Sequence, residues 1–427
     1  MRNWIRASLA AGSILILTGC ASYVGSLRHM NQALAAHDPV AALAALEPLA
    51  DGRDQALYLL DKAMILRMRG DYAGSIRAFE QTKPLLHFLE ATSVTETAAA
   101  LTLSENLRSY TPPLYERLLL HVYQTLNYLQ SGDAEAARVE ARQIDVLLRR
   151  LYPATDAAPG GVDAFARYFA GLIYEDAGAW SDAMIAYRKA YEAYTAANRP
   201  LPPDLAVSLC RFADYLGLDK ELATWRQRFG INEWPPVVPR AQAPEGQLVF
   251  LLSDGLAPKK IAVTQMVQDP RHGRFYSISL PALHRRPSVA TTATVTIGGK
   301  STTTGTVEDV AARARAELDA NRAGLVAAEI ARNVARGAVA HKADDKQQGL
   351  GALVSLIGAV IDRADTRLWN TLPDNIQTAR LRLAPGQYDM TVSLRDGAGR
   401  IVETKLFEDV TIEPGRITFA TWHAIGY

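Results

Sequence analysis

The chain has 427 residues, with 46 Lys and Arg set against 45 Asp and Glu, and 48% of it is apolar. So even a balance leaves no electrostatic footprint for nucleic acid or an anionic lipid surface as the main partner. The apolar content excludes a disordered chain, and the length suits two or three domains.

Arg2 and Arg6 open the chain, an apolar run follows from Leu9 to Leu17, and the run ends in Leu17-Thr18-Gly19-Cys20. A charged start before roughly 7–15 apolar residues is the pattern of a secretory signal peptide. A bilayer span needs roughly 20 apolar residues, so this run is too short to be one. Gly19 is the small residue that a cleavage site wants, and the residue after the cut is a cysteine. The segment resembles the bacterial lipobox, in which the thiol receives a diacylglycerol and the freed amine a further acyl chain such as palmitate. An ordinary signal peptide with a chance cysteine is the alternative. Residues 1–19 are therefore expected to be removed, leaving Cys20 as the lipidated residue and the membrane as a partner through that lipid. Several acyl chains hold a protein firmly where one holds it marginally. Ala21, rather than Asp, resembles the enterobacterial sorting signal for the outer membrane, with the body on the periplasmic side; the inner membrane stays open. Removing residues 1–19 from 427 leaves 408, and losing Arg2 and Arg6 takes the side-chain balance from +1 to −1. Cys210 is then the only free thiol and has no partner for an internal disulfide. It reads as a small core residue.

Residues 20–230 read as helix after helix, rich in Ala, Leu, Arg, Glu and Gln. Three places share a helix–turn–helix signature: Gly70-Asp71-Tyr72, Gly132-Asp133-Ala134 and Gly178-Ala179-Trp180. Glycine lets the chain turn at a helix end, and small residues three or four apart let the next helix lie close. These units resemble tetratricopeptide repeats, best in the third. Their glycines stand 62 and 46 residues apart, however, and not 34. An irregular helical array is expected. Tyr187, Tyr191 and Tyr194 form a stripe along one helix face. The stripe reads either as a partner-binding groove or as core between helices.

Pro235, Pro236, Pro239 and Pro244 make 231–246 a semi-rigid linker. Beyond it, 247–427 reads as one β-sandwich-like domain, with two small domains as the alternative. Eight strands are expected, at Gln247–Leu252, Lys259–Met266, Arg274–Leu280, Val289–Ile297, Thr378–Leu383, Gln387–Leu394, Ile401–Ile412 and Arg416–Trp422. A helical insertion interrupts them at 307–363. Within it, Val326, Ile330 and Val334 with Ala327, Ala331 and Ala335 suggest a close-packed face. The 13-residue run Gly349–Ile361 is too short to span a bilayer and reads as a buried helix. The fold class is thus α+β and multidomain.

The eight histidines include no pair at helical metal-ligand spacing and no HExxH, so no metal site is expected. There is no GxSxG elbow. Gly298-Gly299-Lys300-Ser301 resembles the end of a phosphate loop, but Thr294 stands where its first glycine should be, so a hairpin or loop is expected. No cofactor, nucleotide or catalytic residue is called. The acidic pairs Glu175-Asp176, Glu308-Asp309 and Asp344-Asp345 read as solvated turns or helix starts. Asp365-Thr366-Arg367-Leu368-Trp369 reads as a structural corner. Alternatively Arg367 and Trp369, residue types enriched at hot spots, form a partner contact.

Several segments carry a further resemblance: Gly246-Gln247-Leu248-Val249 with Asp254-Gly255-Leu256-Ala257-Pro258-Lys259, then Val307-Glu308-Asp309-Val310, Ala364–Trp369 and Thr371-Leu372-Pro373. In that order they resemble a family of tetratricopeptide-repeat-containing lipoproteins of Gram-negative bacteria. The resemblance implies a role in envelope assembly and no particular activity. The expected function is a non-enzymatic scaffold that binds one or more envelope proteins. A peptidoglycan- or glycan-acting enzyme and an accessory subunit of a secretion complex are the alternatives.

Overall fold

The computed structural model describes residues 27–51, 54–102, 110–155, 158–268, 275–286, 288–344 and 364–426. Cys20, the turn at His272-Gly273, Asp345 and the Gly349–Ile361 run lie outside them. Helices fill the N-terminal half and strands the C-terminal part, so the chain is α+β. Among the described residues, no helix is long and apolar enough to cross a membrane. The chain forms two compact units: one drawn from residues up to Thr111 with Ala262–Leu280 and Ala327–Trp369, the other from Pro112–Ile261, Pro281–Val326 and Asn370–Tyr427.

The first unit holds α1 (27–35), α2 (Pro39–Leu46), α3 (Gln55–Met68) and α4 (Tyr72–Thr102). Asp38 caps α2, its carboxylate accepting from the backbone N–H groups of Val40 and Ala41. Trp369 is fully buried in this unit and meets the Phe79 ring edge-on at 5.9 Å. Arg367 is buried beside it and ion-pairs with Asp365 at 2.7 Å and Asp54 at 2.9 Å.

The second unit stacks three helical hairpins on a β-sandwich. The helices are α5 (Leu114–Gln130), α6 (Ala134–Leu151), α7 (Ala164–Asp176), α8 (Trp180–Ala196), α9 (Leu205–Tyr215) and α10 (Asp219–Phe229). Gly132, Gly178 and Gly217 turn the three hairpins, each with φ between 66° and 78°. The residue after each glycine donates its N–H to a carbonyl five back: Asp133 to Tyr128, Ala179 to Tyr174 and Leu218 to Ala213. That is the left-handed helix stop which glycine permits. Gly70 makes the same turn between α3 and α4. The Gly217 turn was not anticipated, because Leu218 follows the glycine where the other turns have Asp or Ala.

Ten strands follow: β1 (Gly246–Asp254), β2 (Lys259–Gln268), β3 (Phe275–His284), β4 (Thr292–Ile297), β5 (Lys300–Thr303), β6 (Gly305–Asp309), β7 (Asn375–Leu383), β8 (Gly386–Arg395), β9 (Ile401–Ile412) and β10 (Ile417–Ala424). One sheet runs β10-β1-β7-β6, another β5-β4-β8-β9, and β2 pairs with β3 in a sheet of their own. All eight expected strands are present. β5 and β6 are additional; Lys-Ser-Thr-Thr in β5 carries no apolar alternation to read. Gly298 and Gly299, both at positive φ, turn the β4–β5 hairpin. The inserted helix, α11 (Val310–Asp344), begins three residues later than expected because Val307–Asp309 complete β6. Its expected small-residue face is corrected too: Val334 is exposed, while Glu329 and Arg332 are buried.

Alternation assigns the faces of the first sheet. Leu248, Phe250 and Leu252 of β1, Ala379 and Leu383 of β7, and Ala420, Trp422 and Ala424 of β10 face inward. There they meet Ala293, Val295 and Ile297 of β4 and Met390, Val392 and Leu394 of β8 in one apolar core. The intervening residues, such as Val249, Arg380 and Phe419, share the opposite face, because the register sets Val249 beside both Arg380 and Phe419. The helices cover that face: the Phe169 ring of α7 lies 6.3 Å from Phe419, and Tyr123 of α5 is 3.0 Å from the Ser253 hydroxyl. β1 is buried on both sides, which explains its continuous apolar run. The segment 231–246 lies against this unit, with Trp234 donating to Asp214 at 2.9 Å and Arg240 to the Asp176 carbonyl. Three of the segments that carry the family resemblance meet at one end of the sheet. Ala257 N–H donates to the Leu372 carbonyl, Asp374 to Asp254, and Ala311 to Asp374.

Gly171 of α7 lets α8 approach closely. A Cβ there would stand 2.5 Å from the Tyr187 ring, which cannot swing away because its hydroxyl is bonded to Glu175. Gly171→Ala should therefore destabilise by about 1–3 kcal/mol. Gly324→Ala, in the open on α11, should instead stabilise by up to about 1 kcal/mol. Urea unfolding of the two variants should move the midpoint in opposite directions.

Candidate functional site

The site begins with the alternation Thr378-Ala379-Arg380-Leu381-Arg382-Leu383 in β7. Leu383 and Ala379 enter the sandwich core, so Arg380 and Arg382 point toward the helices. Burying an arginine there requires acceptors. Arg380 has them. Its Nη1 donates to Asp204 at 2.9 Å, its Nη2 to Glu175 and its Nε to Gln247 at 2.8 Å. Glu175, in the last turn of α7, also accepts from Arg211 of α9 at 2.9 Å and from the Tyr187 hydroxyl of α8 at 2.7 Å. Burial alone would push its carboxyl up, but Arg380 and Arg211 outweigh that and hold it down at about 2. The Tyr168 hydroxyl donates to Asp204 at 2.7 Å. Burial raises Tyr168 and Tyr187 well above the ordinary phenol value, and the neighbouring carboxylates add to this, so both remain donors.

Beside this network lies a cavity of about 320 Å³ between α9, β5 and β7. Arg211, Arg380 and Arg382 line it together with Asp204 and the hydroxyl-bearing Ser208, Thr302, Thr303 and Thr378. Arg382 differs from its neighbours. Among the described residues it has no ion-pair partner. Burial, followed by repulsion from Arg211 and Arg380, lowers its guanidinium to about 10. Arg211 is nine-tenths buried, and its Nε–H has no hydrogen-bond partner. The arrangement can hold an acceptor that the protein itself does not supply.

The residues singled out from the sequence fall elsewhere. Tyr187 and Tyr194 are fully buried and Tyr191 nearly so. Tyr194 donates to the Val307 carbonyl at 2.7 Å, tying α8 to β6, while Tyr191 packs edge-on to Trp225 and Phe229 of α10. Their contacts are with core, not with an open groove. Arg367 and Trp369 are likewise interior to the first unit. Cys20 lies outside the described residues.

Two of the acidic pairs are corrected, while Asp345 of the third lies outside the described residues. Glu175 and Asp176 are buried at a helix end, not solvated, and Asp176 accepts from Arg416 at 2.8 Å and from the Ile417 N–H at 2.8 Å. Glu308 is buried in β6 between Arg199 and Arg313, each at 3.0 Å. Only Asp309 does what was expected at the start of α11, accepting from the Ala312 N–H. Two carboxylates at a helix C-terminus oppose its dipole, so the arginines are a structural necessity. No family model matches the chain, and no curated protein matches it in sequence.

Because the Glu175 pKa falls from 4.5 to about 2 on folding, its contribution to stability is complete above about pH 4.5 and is lost as the pH drops toward 2. The thermal midpoint of the wild-type chain should fall across that window. Glu175→Gln should flatten the fall and, by leaving two arginines buried without their counter-charge, cost about 3–5 kcal/mol at neutral pH. Calorimetry between pH 2 and 7 reads both effects.

Proposed function

We propose that this is a lipid-anchored envelope lipoprotein, attached through Cys20 to the outer membrane on its periplasmic side, and that it acts as a non-enzymatic scaffold for another envelope protein. The lipobox-like Leu17-Thr18-Gly19-Cys20 supports the anchor, and the glycine-turned hairpins, which resemble tetratricopeptide units, support the scaffold. The observation that carries the reading is the outer face of α6. Val139 and Val146 are 49% and 43% exposed and lie seven residues apart. Arg142 and Arg149, also exposed, fall on the same stripe. Exposed apolar side chains bracketed by arginines have the composition of a protein-docking surface.

Two experiments test the two halves of this proposal. Cys20→Ala should leave circular dichroism unchanged and release the protein from the membrane. Each buried methylene contributes about 0.8 kcal/mol to anchoring, and no exposed surface replaces several acyl chains. A cleaved Cys20→Ala chain that still sediments with the outer membrane after a high-salt wash would overturn the anchor. For the scaffold, deleting the helices is the wrong probe, because it would uncover Arg380 and the sheet face. Val139→Glu with Val146→Glu changes the surface alone. A stoichiometric partner captured from solubilised envelopes should be lost with this pair at unchanged thermal midpoint. Retention of every captured protein would refute the docking face.

A further inference from the structure

The cavity beside α9 is out of electrical balance. Its arginines, Arg211, Arg380 and Arg382, face two carboxylates, Glu175 and Asp204, and both of those are already held at hydrogen-bond distance by Arg211, Arg380, Tyr168 and Tyr187. Of the three cations Arg382 is the one that makes no ion pair among the described residues, and burial with repulsion from Arg211 and Arg380 outweighs the pull of Glu175 and Glu245 on it. Hydroxyls of Ser208, Thr302 and Thr303 stand on the same walls. About 320 Å³ is the lower end of the size of small-ligand pockets.

We propose that this cavity is a binding site for one small oxyanion, the phosphate or carboxylate group of a small polar molecule, with Arg382 as its charge partner. A guanidinium presents a planar fork of donors that matches two oxygens of a phosphate or carboxylate. Ser208, Thr302 and Thr303, which line the same cavity, supply further hydroxyl donors. Arg380 acts as a positioning residue: its own donors are occupied by Glu175, Asp204 and Gln247, so it shapes the wall and contributes field. Chloride, a spherical ion, cannot use the fork and serves as the control. This site is independent of the membrane anchor and of the α6 face, and either can fail without the other.

The test uses the full chain in mild detergent at pH 7. Inorganic phosphate and acetate are titrated separately against sodium chloride at matched ionic strength, with the thermal midpoint and equilibrium dialysis as readouts. One equivalent of phosphate or acetate should bind and raise the midpoint where chloride does not, and the better of the two identifies the group. Arg382→Gln should weaken that binding at least tenfold, while its ligand-free midpoint stays equal to or above that of the wild type because a repelled cation has been removed. Arg382→Lys, which keeps the charge without the fork, should fall between them. Thr303→Val, on the exposed strand β5, gives a second reading with a loss of about threefold. If neither anion outperforms chloride, the proposal fails. It also fails if Arg382→Gln and Thr303→Val both bind within twofold of wild type, since the anion then sits elsewhere. A ligand-free midpoint lowered in Arg382→Gln, with binding unchanged, would make Arg382 structural and overturn its assignment.

Discussion

The carboxylate of Glu175 is the constraint on which the second unit depends. It sits in the last turn of α7, where the helix dipole disfavours a negative charge, and it is almost fully buried, where water cannot solvate it. Only its partners make it tolerable, and they come from four other elements: Tyr187 of α8, Arg211 of α9, Gln247 of β1 and Arg380 of β7. Each of these groups would also be costly alone. A single acid therefore fixes how two helices and two strands meet, because no other arrangement satisfies all of them.

The same logic repeats along the helix–sheet interface. Asp176 holds Arg416 at the head of β10, Glu308 of β6 holds Arg199 and Arg313, and Tyr194 reaches the Val307 carbonyl. The inner core of the sandwich is built otherwise, from Leu, Ile, Val, Phe, Trp, Ala and Met with no charge among them. The two faces of the first sheet thus divide the labour. The apolar face supplies most of the burial energy, which is proportional to area and indifferent to orientation. The polar face supplies direction: hydrogen bonds and ion pairs tolerate little misalignment, so they set the seat of the helices on the sheet.

Period-two alternation and short apolar runs made the eight longer strands legible in the sequence, and glycine before a small residue marked three helix turns. Both are local signals, complete within a few residues. β5 and the Gly217 turn escaped because each lacks one half of its signal, an apolar residue in the first case and a small follower in the second. The candidate site escaped for a different reason. Arg380 and Arg382 alternate with Ala379, Leu381 and Leu383 just as solvent-facing residues on an ordinary half-buried strand would. Nothing within β7 reveals that helices cover that face. The acids that meet Arg380 lie 205 and 176 residues away, at Glu175 and Asp204. Adjacent acids at 175–176 read locally as a solvated turn. Charge pairing across such separations is a property of the fold, and a single sequence does not display it. The tyrosine stripe at 187, 191 and 194 was legible as a helix face, but whether that face was groove or core depended on α10 and β6.

Set beside the buried acid Asp254, the half-buried Arg382 is unusual. Asp254, at the end of β1, is fully buried, which raises its pKa, and Asp374 nearby adds to the rise. It nonetheless accepts from the Ser288 hydroxyl at 2.7 Å and from the Asn375 amide at 3.0 Å, so neutral donors meet its need. Asp254 is thus matched from within, as expected where a fold uses polarity for structure. Arg382 has the burden without a matching ion pair among the described residues, since burial and two like charges outweigh the pull of Glu175 and Glu245. A leucine or glutamine in its place would relieve the repulsion while keeping the strand, so packing gives no reason for an arginine there. Natural sequences break the agreement between local and global stability chiefly where function requires it. Arg382, a cation without an ion pair among the described residues, on the wall of a cavity, is such a place.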